Sequence, residues 1–157
     1  MTAVFRLAQE ADLPALAANR WRLRTEEEGV PAGVDQAAFL RHCEAFLHAA
    51  LHDTGWALWV AEDEGRIVAN AFVQVVAKVP RPGRFDDAIG YLTNVYVEPE
   101  ERGRGMGALL LRRVVAWARD RDLELLVVWP SERSRALYGR EGFRAESEIM
   151  EQVLRPE

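Results

Sequence analysis

The apolar positions change their period along the chain, and each change marks an element. Val4–Leu7 forms a short strand-like run. Asp12 then offers a helix N-cap, with Pro14 in the first turn and Leu13, Leu16, Ala17 and Trp21 on one helical face. Two glycines, a proline and three consecutive glutamates break the pattern over Arg24 to Val34, which reads as a loop or partly helical connector. Asp35 is a second N-cap, and Phe39, Leu40, Cys43, Phe46, Leu47, Ala50 and Leu51 repeat at helical spacing up to the Asp53–Gly55 break.

From Trp56 to Val79 the residues turn β-branched and aromatic, interrupted at Glu62 to Arg66, as expected for two antiparallel strands joined by a hairpin. Pro80 to Asp87 is a turn, and Ala88 to Val97 is the third strand of the meander. Met106, Leu109, Leu110, Val114, Trp117 and Ala118 make an amphipathic helix that ends near Asp120 to Asp122. The apolar run Leu123–Trp129 predicts a strand buried on both faces and parallel to its neighbour. Pro130 stops it, Ser131 can cap a last helix through about Arg140, Gly142 ends that helix, and Phe143 to Leu154 reads as a final, kinked strand.

Composition narrows the class. A length of 157 residues, 49% hydrophobic and 29% charged, fits one domain over residues 1–157 with a core of its own. A formal net charge of -5 gives no general pull toward nucleic acid. One cysteine, Cys43, excludes an intramolecular disulfide. The N-terminal run lacks the charged and apolar regions of a leader, and no apolar stretch reaches the roughly 20 residues of a membrane helix. The expectation is a cytoplasmic protein without a membrane partner.

Candidate chemistry centres on Tyr91 to Leu111, YLTNVYVEPEERGRGMGALLL. Here a strand passes through Gly103, Gly105 and Gly107 into a helix, so several backbone amides at the positive end of a helix can converge on one phosphate or pyrophosphate. The spacing rejects three phosphate binders. Gly107 is followed by Ala108 and Leu109, where a Walker loop needs Lys and Ser/Thr. Gly-x-Gly-x-Gly in mid-chain, with apolar residues near Val127, is not the dinucleotide fingerprint and its later acidic residue. A kinase glycine loop joins two strands, whereas this turn opens a helix.

Residues 97–107, VEPEERGRGMG, resemble the acetyl-CoA motif of the GCN5-related N-acetyltransferases, Arg/Gln-x-x-Gly-x-Gly/Ala after a strand, with Arg102, Gly105 and Gly107 in register. Ala136 to Phe143, ALYGREGF, is similar to that family's late helix, which ends in Leu-Tyr and then Gly-Phe. The order of elements agrees over nearly the whole chain. The resemblance implies an α/β (α+β) domain whose mixed, mostly antiparallel sheet has six to seven strands, with helices on both faces and a splay between the fourth and fifth strands.

It also implies direct acetyl transfer from acetyl-CoA, as co-substrate, to a small-molecule or peptide amine, without a covalent enzyme intermediate. The alternative is a non-catalytic acyl-CoA-binding or sensing domain. By the resemblance, the amides of Arg102, Gly103, Arg104, Gly105, Met106 and Gly107 hold the pyrophosphate, Arg102 and Arg104 add charge, and the backbone of Val95, Tyr96 and Val97 pairs with the pantetheine arm. Tyr138 matches the tyrosine that protonates the leaving sulfur. Tyr91 and Thr93 occupy strand positions where some members carry a base, and neither is a good base. Glu26, Glu27 and Glu28 lie in a connector that borders the acceptor site, and Trp129 stands at the end of the fifth strand. Ser131 replaces an asparagine that often contacts the coenzyme. Family members are often dimers, so a homodimer is compatible with the resemblance.

The remaining features read as structure. Asn94 falls on the strand face opposite Tyr91 and Thr93, Cys43 on an apolar helix face, and His48 with His52 at i, i+4 without a third ligand in the spacing, so no metal is expected.

Overall fold

The structure, a computed structural model, describes residues 2–155; Met1, Pro156 and Glu157 lie outside the described residues. β1 (Val4–Leu7), β2 (Trp56–Asp63), β3 (Arg66–Ala77) and β4 (Ala88–Val97) form an antiparallel meander. β5 (Leu126–Val127) joins β4 in parallel, so the sheet order is β1-β2-β3-β4-β5. The β2–β3 hairpin closes through Glu64 and Gly65, both at positive φ (48° and 77°), the pairing that a tight two-residue hairpin demands.

Helices α1 (Leu13–Glu28) and α2 (Gln36–Leu51) cover one face of the sheet. Leu16, Ala17 and Leu47 meet Leu58, Val60 and Phe72 there. Helix α3 (Met106–Asp120) covers the other face, where Leu110, Leu111 and Val114, all at 0% exposure, pack on Ala57, Ala69, Ala71, Val73 and Leu92. Small alanines on the sheet let the bulky α3 side chains approach closely. Helix α4 (Arg135–Arg140) closes this layer through Tyr138.

Several expectations are corrected. The sheet has five strands among the described residues, not six to seven, because residues 143–154 form no strand. Ile149, Met150, Val153 and Leu154 in that segment are exposed, and the two-residue β5 gives a further strand too short an edge to pair with. For the same reason Leu123–Trp129 is not buried on both faces: only Leu126 and Val127 are in strand, half-buried, and Trp129 is 64% exposed. The parallel pairing holds, and it requires Gly90, where a Cβ would lie 2.5 Å from Leu126 Cδ2. The connector begins later than its composition suggests, since α1 continues through Glu28 and stops at Gly29, φ 72°, whose amide donates to the Thr25 carbonyl.

Asp35 caps α2 by accepting from the Ala37 amide at 3.1 Å. Asp12 does not cap α1 through its side chain. Its carboxylate turns back to the Gln9 amide and to Arg6, and the Arg6 hydrogen bonds hold its pKa below the ordinary value against the opposing effect of burial.

Candidate active site

The glycine turn is built by three glycines for two reasons. Gly103 and Gly105 sit at φ 74° and 82°, which side chains with a Cβ adopt only under strain. Gly107 is helical, and a Cβ there would come within 3.3 Å of Leu137 and 3.5 Å of Val97, so it allows α3 to sit close to β4 and α4. Arg102 donates its amide to Pro99 and Leu109 donates to Gly105. Among the described residues, the amides from Gly103 to Ala108 precede the first intrahelical bonds of α3 and have no backbone acceptor. A Cβ on Gly103 or Gly105 would meet nothing within 4 Å, so the turn opens onto free space that an anion can fill.

The two arginines of the turn are already engaged. Arg102 donates Nε–H to the Val97 carbonyl (2.9 Å) and Nη2 to Glu26 (2.8 Å), and its guanidinium lies 5.5 Å from the Tyr96 ring. Arg104 donates to the buried Glu101 at 3.1 Å. Their side chains therefore brace the turn, leaving the backbone amides and helix dipole facing outward. Glu26 also accepts from the Tyr96 hydroxyl at 3.2 Å. Burial alone would raise the Glu26 pKa, but the bonds from Arg102 and Tyr96 outweigh it and hold the group below its ordinary value.

The strand leading into the turn carries a feature that the alternation of residues does not reveal. Asn94 has φ 54°, and the β3–β4 register shifts between Asn70 and Phe72, so β4 bulges there. Leu92 packs on the α3 side before the bulge, and Val95 and Val97 pack on that same side after it. The extra residue turns Asn94 and Tyr96 toward α1, onto the face of Tyr91 and Thr93, which corrects the opposite-face placement of Asn94. A buried amide chain fixes the bulge: Asn19 donates to Asn70 Oδ1 (3.0 Å) and Asn70 donates to the Asn94 carbonyl (2.6 Å). Sequence reasoning missed this chain. Its one signal was Asn70, a polar residue inside the apolar strand RIVANAFVQVVA.

β4 pairs with β5 only at Gly90–Leu126 and Tyr91–Val127. Beyond Tyr91 its outer edge has no strand partner among the described residues, so Thr93 to Val97 stand beside an opening between the two strands. Tyr138 from α4 is 6% exposed in the core under this opening, edge-to-face with Phe143 at 5.3 Å. Burial and then the negative charge of Glu27 push its pKa up to about 12, so the phenol keeps its proton at neutral pH. Ser131 does not cap a helix through its hydroxyl, which instead meets the Ser134 hydroxyl at 3.0 Å; its carbonyl accepts the Ser134 and Arg135 amides.

At the near end of β4, Tyr91, Ile89, Val76, Val127 and Trp129 line an open apolar groove of about 450 Å³. Trp129 is a wall of this groove, edge-to-face with Tyr91 at 5.3 Å. The three glutamates separate in role. Glu26 is tied to Arg102, and Glu28 is paired with Arg24. Glu27 has no cation partner among the described residues, and its charge acts on Tyr138. Elsewhere the fold supplies a third group beside the helical histidines: Glu10 Oε1 lies 2.9 Å from His52 Nε2 and 3.5 Å from His48 Nε2, all three exposed.

Comparison with known proteins gives this arrangement a family. Residues 54–145 match the profile of the acetyltransferase (GNAT) domain. The chain is 34% identical over 86 residues to the glucosamine 6-phosphate N-acetyltransferase of Trypanosoma brucei brucei, covering 55% of this chain and 56% of that protein, so it matches little more than half the length of that relative. It is 35% identical over 105 residues to the 5-NmdU N-acetyltransferase of Pseudomonas phage PaMx11, covering 67% of this chain and 69% of the relative. Among solved structures, a predicted acetyltransferase with acetyl-CoA from Clostridium acetobutylicum superposes with TM-score 0.79 at 26% identity over 98% of this chain and 97% of that one. A GCN5-related N-acetyltransferase from Ralstonia eutropha JMP134 gives TM-score 0.75 at 28% identity over 96% and 98%. With a matching profile over more than half its length, the chain belongs to the GCN5-related N-acetyltransferase family.

Proposed function

We propose that the whole chain is one N-acetyltransferase domain that moves an acetyl group from acetyl-CoA directly to an amine. The observation that carries this reading is the juxtaposition of two features: a glycine turn with unpartnered amides, and a buried, protonated Tyr138 beneath the opening between β4 and β5. Acetyl-CoA supplies the thioester carbonyl. The amides of residues 103–107 hold its pyrophosphate, and the free edge of β4 from Val95 to Val97 receives the pantetheine arm as a sheet edge receives a strand.

An alkylammonium with a pKa of about 10.4 must lose a proton before it attacks. Glu27, uncommitted to any cation and acting on Tyr138, takes that proton directly or through one water. Tyr138 gives its hydroxyl proton to the leaving thiolate. Attack forms the C–N bond and leaves a positive charge on nitrogen. Collapse of the tetrahedral intermediate breaks the C–S bond, and the second N–H proton passes to the tyrosinate directly or through water. The ammonium and thioester thus give amide, free thiol and one proton, which Glu27 releases to solvent. Tyr91, Thr93 and Trp129 shape the acceptor side, where the groove admits an apolar portion of the substrate.

Thiol release from acetyl-CoA over a panel of amines tests the reading. Tyr138→Phe should lower turnover by about 100-fold while coenzyme A affinity holds, the range expected for loss of a general acid. Unchanged turnover in that variant refutes the role of Tyr138. Coenzyme A binding without thiol release for any amine would favour the non-catalytic acyl-CoA-binding domain, a reading consistent with Tyr91 and Thr93 standing where some family members carry a base.

A further inference from the structure

We propose that the acceptor carries an anionic group besides its amine, and that Arg20 of α1 and Asn94 of the β4 bulge form the subsite that holds it. This rests on the N-acetyltransferase reading. Of the arginines on α1, Arg22 pairs with Glu98 and hydrogen-bonds Asn19, and Arg24 pairs with Glu28. Arg20 has no carboxylate within ion-pair distance among the described residues. Its one polar contact is Asn94 Oδ1 at 3.4 Å, longer than a good charged hydrogen bond.

The guanidinium is half-buried, and burial together with the charge of Arg24 works against its protonated form. An arginine nevertheless keeps its proton. The site therefore holds a partly desolvated positive charge with no anionic partner among the described residues. Tyr91, a wall of the apolar groove, is among the groups that act electrostatically on it, together with Cys43 and Glu28.

An independent observation lies on the neighbouring residue. Asn94 is 9% exposed, and its side-chain amide nitrogen is buried with no acceptor. Its oxygen faces Arg20, so flipping the amide would set two donors against each other. Arg20 thus keeps one long contact to a neutral acceptor and the Asn94 amide nitrogen has none, and both donors lie on the α1 face of β4, where the acceptor amine is expected. An oxyanion, either a carboxylate or a phosphate, satisfies both at once, and Glu27 nearby receives the ammonium. The substrate class is a zwitterionic amine rather than a simple polyamine.

Two experiments decide this. The first uses the protein saturated with coenzyme A, so that the glycine turn is filled, and titrates inorganic phosphate and, separately, acetate while following the unfolding temperature. One of these anions should raise it at millimolar concentration, and the rise should vanish in Arg20→Gln and in Asn94→Asp. Aspartate tolerates the left-handed backbone and removes the donor, so it carries the test if Arg20→Gln fails to fold. No rise in the wild type, or a rise that both variants retain, overturns the proposal. The second experiment compares matched acceptors, phosphoethanolamine with ethanolamine and glycine with glycinamide. The anionic member of at least one pair should lead by about tenfold in kcat/KM, with the ratio approaching one in Arg20→Gln. Equal rates within both pairs overturn the proposal. If coenzyme A binds and no amine is acetylated, the catalytic reading fails, and the anion titration still decides the subsite.

Discussion

Replacing Asn70 by alanine tests whether a buried polar chain, rather than the glycine turn alone, sets the geometry of β4, the strand proposed to receive the pantetheine arm. Asn70 is fully buried and links two groups: its oxygen accepts from Asn19 and its nitrogen donates to the Asn94 carbonyl at 2.6 Å. The truncation leaves a donor and a carbonyl without partners in a region closed to solvent. Each costs about 1–3 kcal/mol, and water entering the vacated space recovers part, so the net loss should be about 2–4 kcal/mol. For a chain of this size that corresponds to a fall of about 5–15 °C in Tm. Urea unfolding should show a lower midpoint with an unchanged slope. Asn19→Ala breaks one link of the same chain, so the double variant should lose less than the sum of the two single losses. Because the chain pins the bulge that aims Val95 to Val97, coenzyme A affinity measured by calorimetry should fall by about tenfold, equivalent to about 1.4 kcal/mol. A stability loss below about 1 kcal/mol, or full destabilisation with coenzyme A affinity intact, would refute the link between this chain and the cofactor strand.

Other substitutions separate the remaining contributions. Gly105→Ala places a methyl in open space at φ 82°, so it should cost about 1–2 kcal/mol through backbone strain alone, while weakening coenzyme A binding by more than that strain because the methyl enters the anion cradle; equal affinity in calorimetry would argue against the cradle. Asp12 has its folded pKa held below the unfolded one, chiefly by Arg6, so its contribution is present at neutral pH and is lost as pH falls below about 4 and through the folded pKa. Asp12→Asn should therefore lower stability by about 2 kcal/mol at pH 7, with the gap to wild type shrinking in acid, as read from urea midpoints at several pH values; a gap independent of pH would remove the ion pair from the account. Glu26→Gln should weaken coenzyme A binding without abolishing turnover, since Glu26 braces Arg102 rather than meeting the acceptor; lost turnover with unchanged affinity would return Glu26 to the acceptor site.

Local signals along the chain determine much of this protein. The hairpin at Glu64–Gly65, the cap at Asp35, the apolar stripe of α3 and the spacing of Gly103, Gly105 and Gly107 are each written within a few residues, because turns, caps and helix faces depend on near neighbours. The family followed from two such local motifs. What sequence could not supply depends on residues far apart. Whether Phe143 to Leu154 forms a strand turns on the edge that β5 offers, and a two-residue β5 offers too little. Whether Glu26, Glu27 or Glu28 is available turns on Arg102, 76 positions from Glu26, and on Arg24. The face that Asn94 presents turns on a bulge held by Asn19 and Asn70 from two other elements. Strand alternation gives the wrong face beyond such a bulge, because one inserted residue exchanges inside for outside. Sequence thus located the glycine turn, because it is written in adjacent residues, whereas tertiary contacts alone decided which charges on the proposed acceptor side lack an ionic partner among the described residues: Glu27, and Arg20 beside the Asn94 amide.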